Sequence, residues 1–396
     1  MAGALDGIVV LDLSRILAGP TCTQLLGDLG AKVIKIENPG SGGDDTRAWG
    51  PPYVMGPDGQ PTDLSAYFMA ANRNKLSVAV DIATADGQAT IRALAAKADI
   101  LLENFKPGGL AKYGLDHATM LAAHPGLVYC SISGFGQTGP NAAKPGYDLM
   151  AQGYGGIMSL TGDPDGQPMK VGVGIADVMC GMYATVGILA ALRHRERTGE
   201  GQLVDVALVD TQIAWMINEG VNYLTSGQVP QRRGNGHPNI VPYQVFDAAD
   251  GHVIVAAGND GQFRRTCAFL GVEGLADTPD YATNPARCAN RATLIATLEP
   301  LFRARTMAAI IAGLEGAGVP VGPVNRIDQA LASDQVAARG LVVDMARDDV
   351  AGGAVKLLGN PLHLSRTPVS YRHAPPRFGQ DTDRILADLA ASAKPG

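Results

Sequence analysis

A short run rich in Val, Ile and Leu followed by a helical stretch recurs along the first half of the chain, and this alternation limits the fold more than any other feature. The runs are Gly7–Leu13, Lys32–Glu37, Ser77–Asp81, Ile100–Phe105 and Leu127–Ser133, with helical segments at Thr21–Leu29, at Gly87–Lys97 and near Leu110. Alternating βα units of this length predict an α/β fold built on a parallel, doubly wound, Rossmann-like sheet. Ligands of such sheets lie beyond the carboxyl ends of the strands. In this chain those places hold Arg15, Arg47, Asn104, Phe105, Lys106 and the glycine-rich stretch from Gly134 to Tyr147. No Gly-x-Gly-x-x-Gly follows the first run, so a nicotinamide dinucleotide is not indicated.

The length of 396 residues calls for two or three domains at ~150 residues each. Residues 1–210 read as the large domain, closed by a strand at Leu203–Leu208. A helix over Asp210–Leu224 makes 211–225 a linking helix. Ser226–Asn239 is rich in Gly, Pro and polar residues and reads as a linker or active-site loop. Strands at Tyr243–Phe246 and His252–Ala257 flank Asp250-Gly251 as a hairpin, and helices at Gln262–Leu270, Arg291–Leu301 and Met307–Ala317 complete a smaller α+β domain at 226–325. Residues 326–396, with Pro361, Pro368, Pro375 and Pro376, show no βα rhythm and read as an extended return segment that completes the large domain.

The balance of charge narrows the partners. A net charge of −6, 18 % charged residues and no basic run longer than Arg193–Arg197 argue against nucleic acid, which needs a concentrated positive face. The five cysteines, Cys22, Cys130, Cys180, Cys267 and Cys288, are odd in number and scattered, as in a reduced cytoplasmic chain without a structural metal. The start of the chain lacks the pattern of a signal peptide, and no apolar run is read as approaching the ~20 residues that span a bilayer. The expectation is a soluble protein with no membrane partner.

One carboxylate stands out. Val171-Gly-Val-Gly-Ile-Ala-Asp177-Val-Met-Cys-Gly-Met182 is small and apolar around Asp177, and Met179–Arg195 continues at helical spacing to a basic last turn and a glycine stop. Asp177 therefore falls at the start of a helix, where free N–H groups and the helix dipole favour an ionised side chain by ~0.3–1 kcal/mol. Taken alone, this position is equally that of a plain N-cap.

Arg15-Ile-Leu-Ala-Gly-Pro20, Asp28-Leu-Gly-Ala-Lys-Val-Ile-Lys-Ile-Glu37, Asn74-Lys75, Glu103-Asn-Phe-Lys-Pro-Gly108, Ser131-Ile-Ser-Gly-Phe-Gly-Gln137 and the Asp177 stretch together resemble the class III CoA-transferases, a family that includes formyl-CoA transferase and carnitine CoA-transferase. The resemblance runs essentially end to end. It implies that Asp177 is the nucleophile, carrying acyl groups as an anhydride and then CoA as a thioester. It places CoA contacts at Arg15, Ile16, Leu17, Ala18, Asn72, Arg73, Asn74, Lys75, Asn104, Phe105, Lys106, Lys112, Lys144, Pro145, Gly146 and Tyr147. It puts Gly234, Asn235, Gly236 and His237 where formyl-CoA transferase carries a run of glycines over its active site, with His237 and Pro238 interrupting them. Asn38 and Leu17 stand where formyl-CoA transferase has Arg and Gln, so the acid pocket is not plainly one for oxalate. Arg232 and Arg233 suit either the second carboxylate of an acid such as succinate or a solvated pair. The family also implies CoA and acyl-CoA as substrates, with no tightly bound cofactor, small carboxylic acids as partners and an interlocked homodimer. Two other readings stay open. One is an α-methylacyl-CoA racemase on the same fold, which has Gly-His-Asp where this chain has Gly146-Tyr147-Asp148. The other is a CoA-binding protein without catalysis.

Overall fold

The structure is a computed structural model in which residues 3–391 are described. In chain order the first half runs β1 (Val9–Asp12), α1 (Ala18–Asp28), β2 (Lys32–Glu37), β3 (Tyr53–Met55), β4 (Pro61–Ser65), α2 (Ala66–Ala70), β5 (Lys75–Ala79), α3 (Ala85–Ala95), β6 (Ile100–Glu103), α4 (His117–Ala123) and β7 (Val128–Ser133). It continues through α5 (Asp148–Tyr154), α6 (Ile175–Thr198), β8 (Leu203–Ala207) and α7 (Leu208–Ala214). Then come α8 (Ile217–Ser226), β9 (Tyr243–Ala248), β10 (Gly251–Ala256), α9 (Asp260–Leu270), α10 (Asn284–Ala289), α11 (Arg291–Arg303), α12 (Met307–Gly316), β11 (Val321–Pro323) and α13 (Ile327–Leu331). The last elements are α14 (Asp334–Ala338), β12 (Val342–Ala346), β13 (Ala354–Leu358) and α15 (Thr382–Ala391).

Two compact units emerge. The first joins the described residues up to Ile157, Lys170–Met216 and those from Asp334 onward; the second joins Met158–Met169 and Ile217–Ser333. The first unit is built on a six-stranded sheet in the order β5-β2-β1-β6-β7-β8, every neighbouring pair parallel. That is the doubly wound arrangement read from the βα alternation, with its reversal of direction between β1 and β6. Successive residues of β1 go to opposite layers: Val10 packs with Cys22, Leu26, Ala184 and Ile188, whereas Leu11 packs with Ile91, Leu94 and Met120. Burial on both faces is why these strands read as unbroken apolar runs.

Several local expectations shift. The helix expected near Leu110 is a single 3₁₀ turn, Ala111–Tyr113, stopped by Gly114 at a φ of 63°. The true helix, α4, starts later because the Asp116 side chain accepts a hydrogen bond from Thr119 N–H and caps it. The helix expected over Asp210–Leu224 is broken at Trp215–Met216 into α7 and α8, where Ile217 has a φ of 29°. Helix α6 is long and apolar enough by composition to cross a membrane, contrary to the reading that no run approaches that length. Half of its apolar window is buried inside the protein, and Gly181 lets it cross α1 so closely that a Cβ there would stand 2.5 Å from the Ala18 carbonyl oxygen.

Chain beyond Asp334 folds back onto the first unit. Strands β12 and β13 form an antiparallel hairpin. Asp381 and Thr382 then hydrogen-bond the backbone of β5 at Ser77 and Ala79, covering an edge that would otherwise be open for pairing. In the second unit β9 and β10 form the hairpin around Ala249-Asp250, and β11 adds antiparallel to β10. Phe246, Val253, Val255, Phe263, Leu294, Leu298, Phe302, Ile310 and Leu314 make its core.

Candidate active site

Asp177 is the third residue of α6, and the N-cap is Gly174, which has no side chain to offer. The capping acceptor comes from elsewhere in the first unit. Asp148 Oδ1, at the start of α5, accepts from Ala176 N–H at 2.8 Å and lies 3.4 Å from Asp177 N. Asp177 is therefore not the cap of its helix, and its carboxylate makes no hydrogen bond or ion pair among the described residues. Nor is it held ionised: burial, with the Asp148 carboxylate adding to it, pushes its pKa up from 3.8 to about 7. The reason is one of magnitude. A helix dipole contributes ~0.3–1 kcal/mol, and three pKa units correspond to ~4 kcal/mol in the other direction.

The half-buried Asp177 lines a cavity of about 620 Å³. It lies off the carboxyl ends of β1, β2, β6 and β7, and so at the switch between β1 and β6 where ligands of doubly wound sheets bind. Arg15, Ile16, Leu17 and Ala18 after β1, Asn104, Phe105 and Lys106 after β6, Lys112, and Lys144, Pro145, Gly146 and Tyr147 all line it. Two glycines bring two of its walls together: a Cβ on Gly146 would fall 2.1 Å from Gly134 Cα, so neither loop tolerates a side chain at this point. Asn104 clamps the backbone of Arg15, accepting from its N–H at 3.0 Å and donating to its carbonyl at 2.7 Å. Among the described residues Lys106, Lys112 and Lys144 have no carboxylate partner, and Lys112 sits over the Tyr113 ring. Unpaired ammonium groups over a largely apolar floor suit a phosphorylated, partly apolar ligand.

Behind the loop after β1 runs a buried series of charges. Lys75 is 3.2 Å from Asp12, Lys35 is 2.8 Å from Asp44, and Arg47 holds Glu37 through two hydrogen bonds. Burial alone would raise the Asp44 carboxyl, but Lys35 and the hydrogen bonds it and Thr46 donate hold it at about 2. Asp44 also accepts from Ile16 N–H. Ile16 has a φ of 72°, a costly conformation for a β-branched residue, so the charge series holds a strained wall of the cavity in place.

The family model described as CoA-transferase family III matches residues 5–382. The chain belongs to this family. Its resemblance to the class III CoA-transferases is thus a membership, and this CoA-transferase has relatives along its whole length. It is 48 % identical to the succinate–glutarate CoA-transferase of Agrobacterium fabrum over 97 % of this chain and 95 % of that one. It is 40 % identical to the human succinyl-CoA:glutarate CoA-transferase over 97 % of this chain and 86 % of that one. A crystal structure of a CaiB/BaiF family protein from Brucella suis, 45 % identical, superposes with a TM-score of 0.87 over 98 % of this chain and 100 % of that one.

The structure brings twelve of the sixteen expected CoA-contact positions of this CoA-transferase to the cavity with Asp177. Asn72, Arg73, Asn74 and Lys75 do not line it, and their side chains go to internal partners. All four are buried. Arg73 makes a two-pronged pair with Asp28 at 2.9 and 2.6 Å, Asn74 donates to the same carboxylate at 2.8 Å, and Lys75 bonds Asp12, Asn72 and the Pro20 carbonyl. Burial lowers Lys75 to about 8 although Asp12 opposes it. A motif match finds the positions but does not say which way the side chains face.

Gly234, Asn235, Gly236 and His237 belong to the second unit. There Gly234 takes a φ of 57°, Gly236 N–H closes a turn on the Arg233 carbonyl, and His237 stacks on Tyr243 with ring centroids 5.0 Å apart. Both arginines beside them have partners within the second unit: Arg232 donates to the carbonyls of Asp163, Pro164 and Gly166, and Arg233 pairs with Glu219 at 3.1 Å. Sequence reasoning did not find Asp148, Lys35, Asp44 or Glu103. The last accepts from Phe105 N–H at 2.7 Å and is raised to about 7 by burial. Asp148 had one visible signal, its place beside Tyr147 in the Gly-Tyr-Asp triplet.

Proposed function

We propose that this enzyme transfers CoA from succinyl-CoA to a second dicarboxylic acid, glutarate being the first candidate, with Asp177 as the covalent carrier. The observation that carries the reading is an unpartnered carboxylate in the wall of a cavity that also holds Lys106, Lys112 and Lys144 without carboxylate partners. The relatives named for succinate and glutarate supply the substrate class.

Asp177 attacks the thioester carbonyl carbon of succinyl-CoA, and CoA leaves as the thiolate. The mixed anhydride so formed is attacked by that thiolate at the Asp177 carbonyl, which frees succinate and leaves an aspartyl-CoA thioester. The acceptor carboxylate displaces the thiolate as a new anhydride, and the thiolate takes the acceptor's acyl group and frees Asp177. Each step exchanges one carbonyl substituent for another, so the thioester's free energy is kept from water. The enzyme works as a homodimer with interlocked chains. Exposed apolar residues support this: Met182 and Val186 on α6 in the first unit, and Ile217, Val221 and Leu224 on one face of α8 in the second.

The test is a mass-spectrometric screen of purified enzyme with succinyl-CoA against glutarate, oxalate, formate and acetate. Glutaryl-CoA forming well ahead of the other products supports the reading. Preference for a monocarboxylate, or no transfer from succinyl-CoA, defeats it.

A further inference from the structure

Helix α6 carries the nucleophile, yet its own cap residue, Gly174, has nothing to bind its free N–H groups. Asp148 comes from α5 to do so. A Cβ built on Gly174 would lie 3.7 Å from the Asp148 carboxyl, in ordinary contact, so the two segments of chain run side by side here. The second carboxylate oxygen is tied down in turn: Gln152, fully buried one helical turn on, donates to Asp148 Oδ2 at 2.7 Å and accepts from Val171 N–H through Oε1 at 2.9 Å. Val171 opens the stretch that leads into α6. One buried amide thus links the carboxylate on α5 to the segment that delivers Asp177.

We propose that Asp148 is a positioning residue for the transferase reaction, fixing the start of α6 through its N–H groups and keeping a negative charge beside Asp177. The proposal rests on the reading of Asp177 as nucleophile. An N-cap needs only an oxygen acceptor, and Asn serves about as well as Asp. A carboxylate brings in addition a like charge that opposes ionisation of its neighbour. The effect on catalysis is to keep Asp177 from resting as a fully ionised, strongly solvated anion, so that it reacts from a desolvated state. No cation among the described residues offsets it. Among the described residues, the titratable groups that feel Asp177 besides Asp148 are Tyr67 of α2 and Cys180 one turn along α6. Burial raises both, and the Asp177 carboxylate adds to it, so they are neutral near pH 7. Asp44, also felt at Tyr67, is an anion held by Lys35.

The test compares wild type with Asp148→Asn, which keeps the acceptor for the Ala176 N–H and removes the charge together with the acceptor for Gln152. Aspartate is labelled with ¹³C at the side-chain carboxyl, and the Asp177 signal is assigned by its loss in Asp177→Asn. In wild type the signal titrates near pH 7; in Asp148→Asn its midpoint falls by about half a unit or more, and the acid limb of the kcat/KM profile with succinyl-CoA and glutarate moves with it. Should Asp148→Asn fail to fold, Asp148→Ser, another uncharged cap, takes its place. A midpoint unchanged in the folded uncharged variant overturns the proposal, because a purely structural cap predicts that result. The titration needs no substrate. A shifted midpoint in an enzyme that transfers no CoA would leave the link between the two aspartates standing and defeat the functional reading instead.

Discussion

Asp177 behaves as a buried acid, and its energetics separate it from a helix cap. Native Asp177, with its pKa raised to about 7, binds its proton more tightly than the unfolded chain does. Its contribution to stability is therefore complete below pH ~4 and lost as pH rises through ~7. Asp177→Asn carries no such cost. It should match wild type in urea denaturation at pH 4 and exceed it at pH 8 by on the order of 1–3 kcal/mol, while transfer falls by several orders of magnitude. A variant less stable than wild type at pH 8 would contradict this account of the site. Arg73 gives the converse case. Arg73→Met should cost about 3 kcal/mol by leaving Asp28 buried without its cation, yet keep KM for acyl-CoA within about twofold, which steady-state kinetics checks. The sequence singled out both residues, but only three-dimensional placement separates them: Asp177 faces a cavity and Arg73 faces Asp28. Asp148 was hidden for a related reason, since the N–H groups it binds lie 28 and 29 positions further along the chain.

At the scale of elements, the crossing of α1 and α6 joins packing to function, because the residues that begin α1 also line the cavity. Gly→Ala inside a helix ordinarily stabilises by about 1 kcal/mol. Gly181→Ala should do the opposite and destabilise by roughly 1–3 kcal/mol, since the new Cβ would meet the Ala18 carbonyl at 2.5 Å and Thr21 Cβ at 3.0 Å. Denaturation in urea gives the sign directly, and a stabilised variant would show that the crossing is looser than described. The strands were legible because burial on both faces makes each a dense apolar run. Helix ends were less so. The break between α7 and α8 leaves the apolar spacing on both sides intact, so nothing in the pattern marks Trp215–Met216. The β12–β13 hairpin was obscured by the prolines that follow it.

For the whole molecule, the family and the central sheet were readable from motifs and from the βα alternation, whereas substrate choice was not written in any motif. Light scattering across a dilution series should find a dimer at every concentration that retains activity; a folded, active monomer would contradict the interlocked assembly. The central claim is that Asp177 becomes covalently activated during turnover, and hydroxylamine trapping tests it most directly. Enzyme incubated with succinyl-CoA and hydroxylamine should yield a hydroxamate on the peptide that contains Asp177, and none without the thioester or in Asp177→Asn. Full transfer activity with an unmodified Asp177 peptide would contradict it.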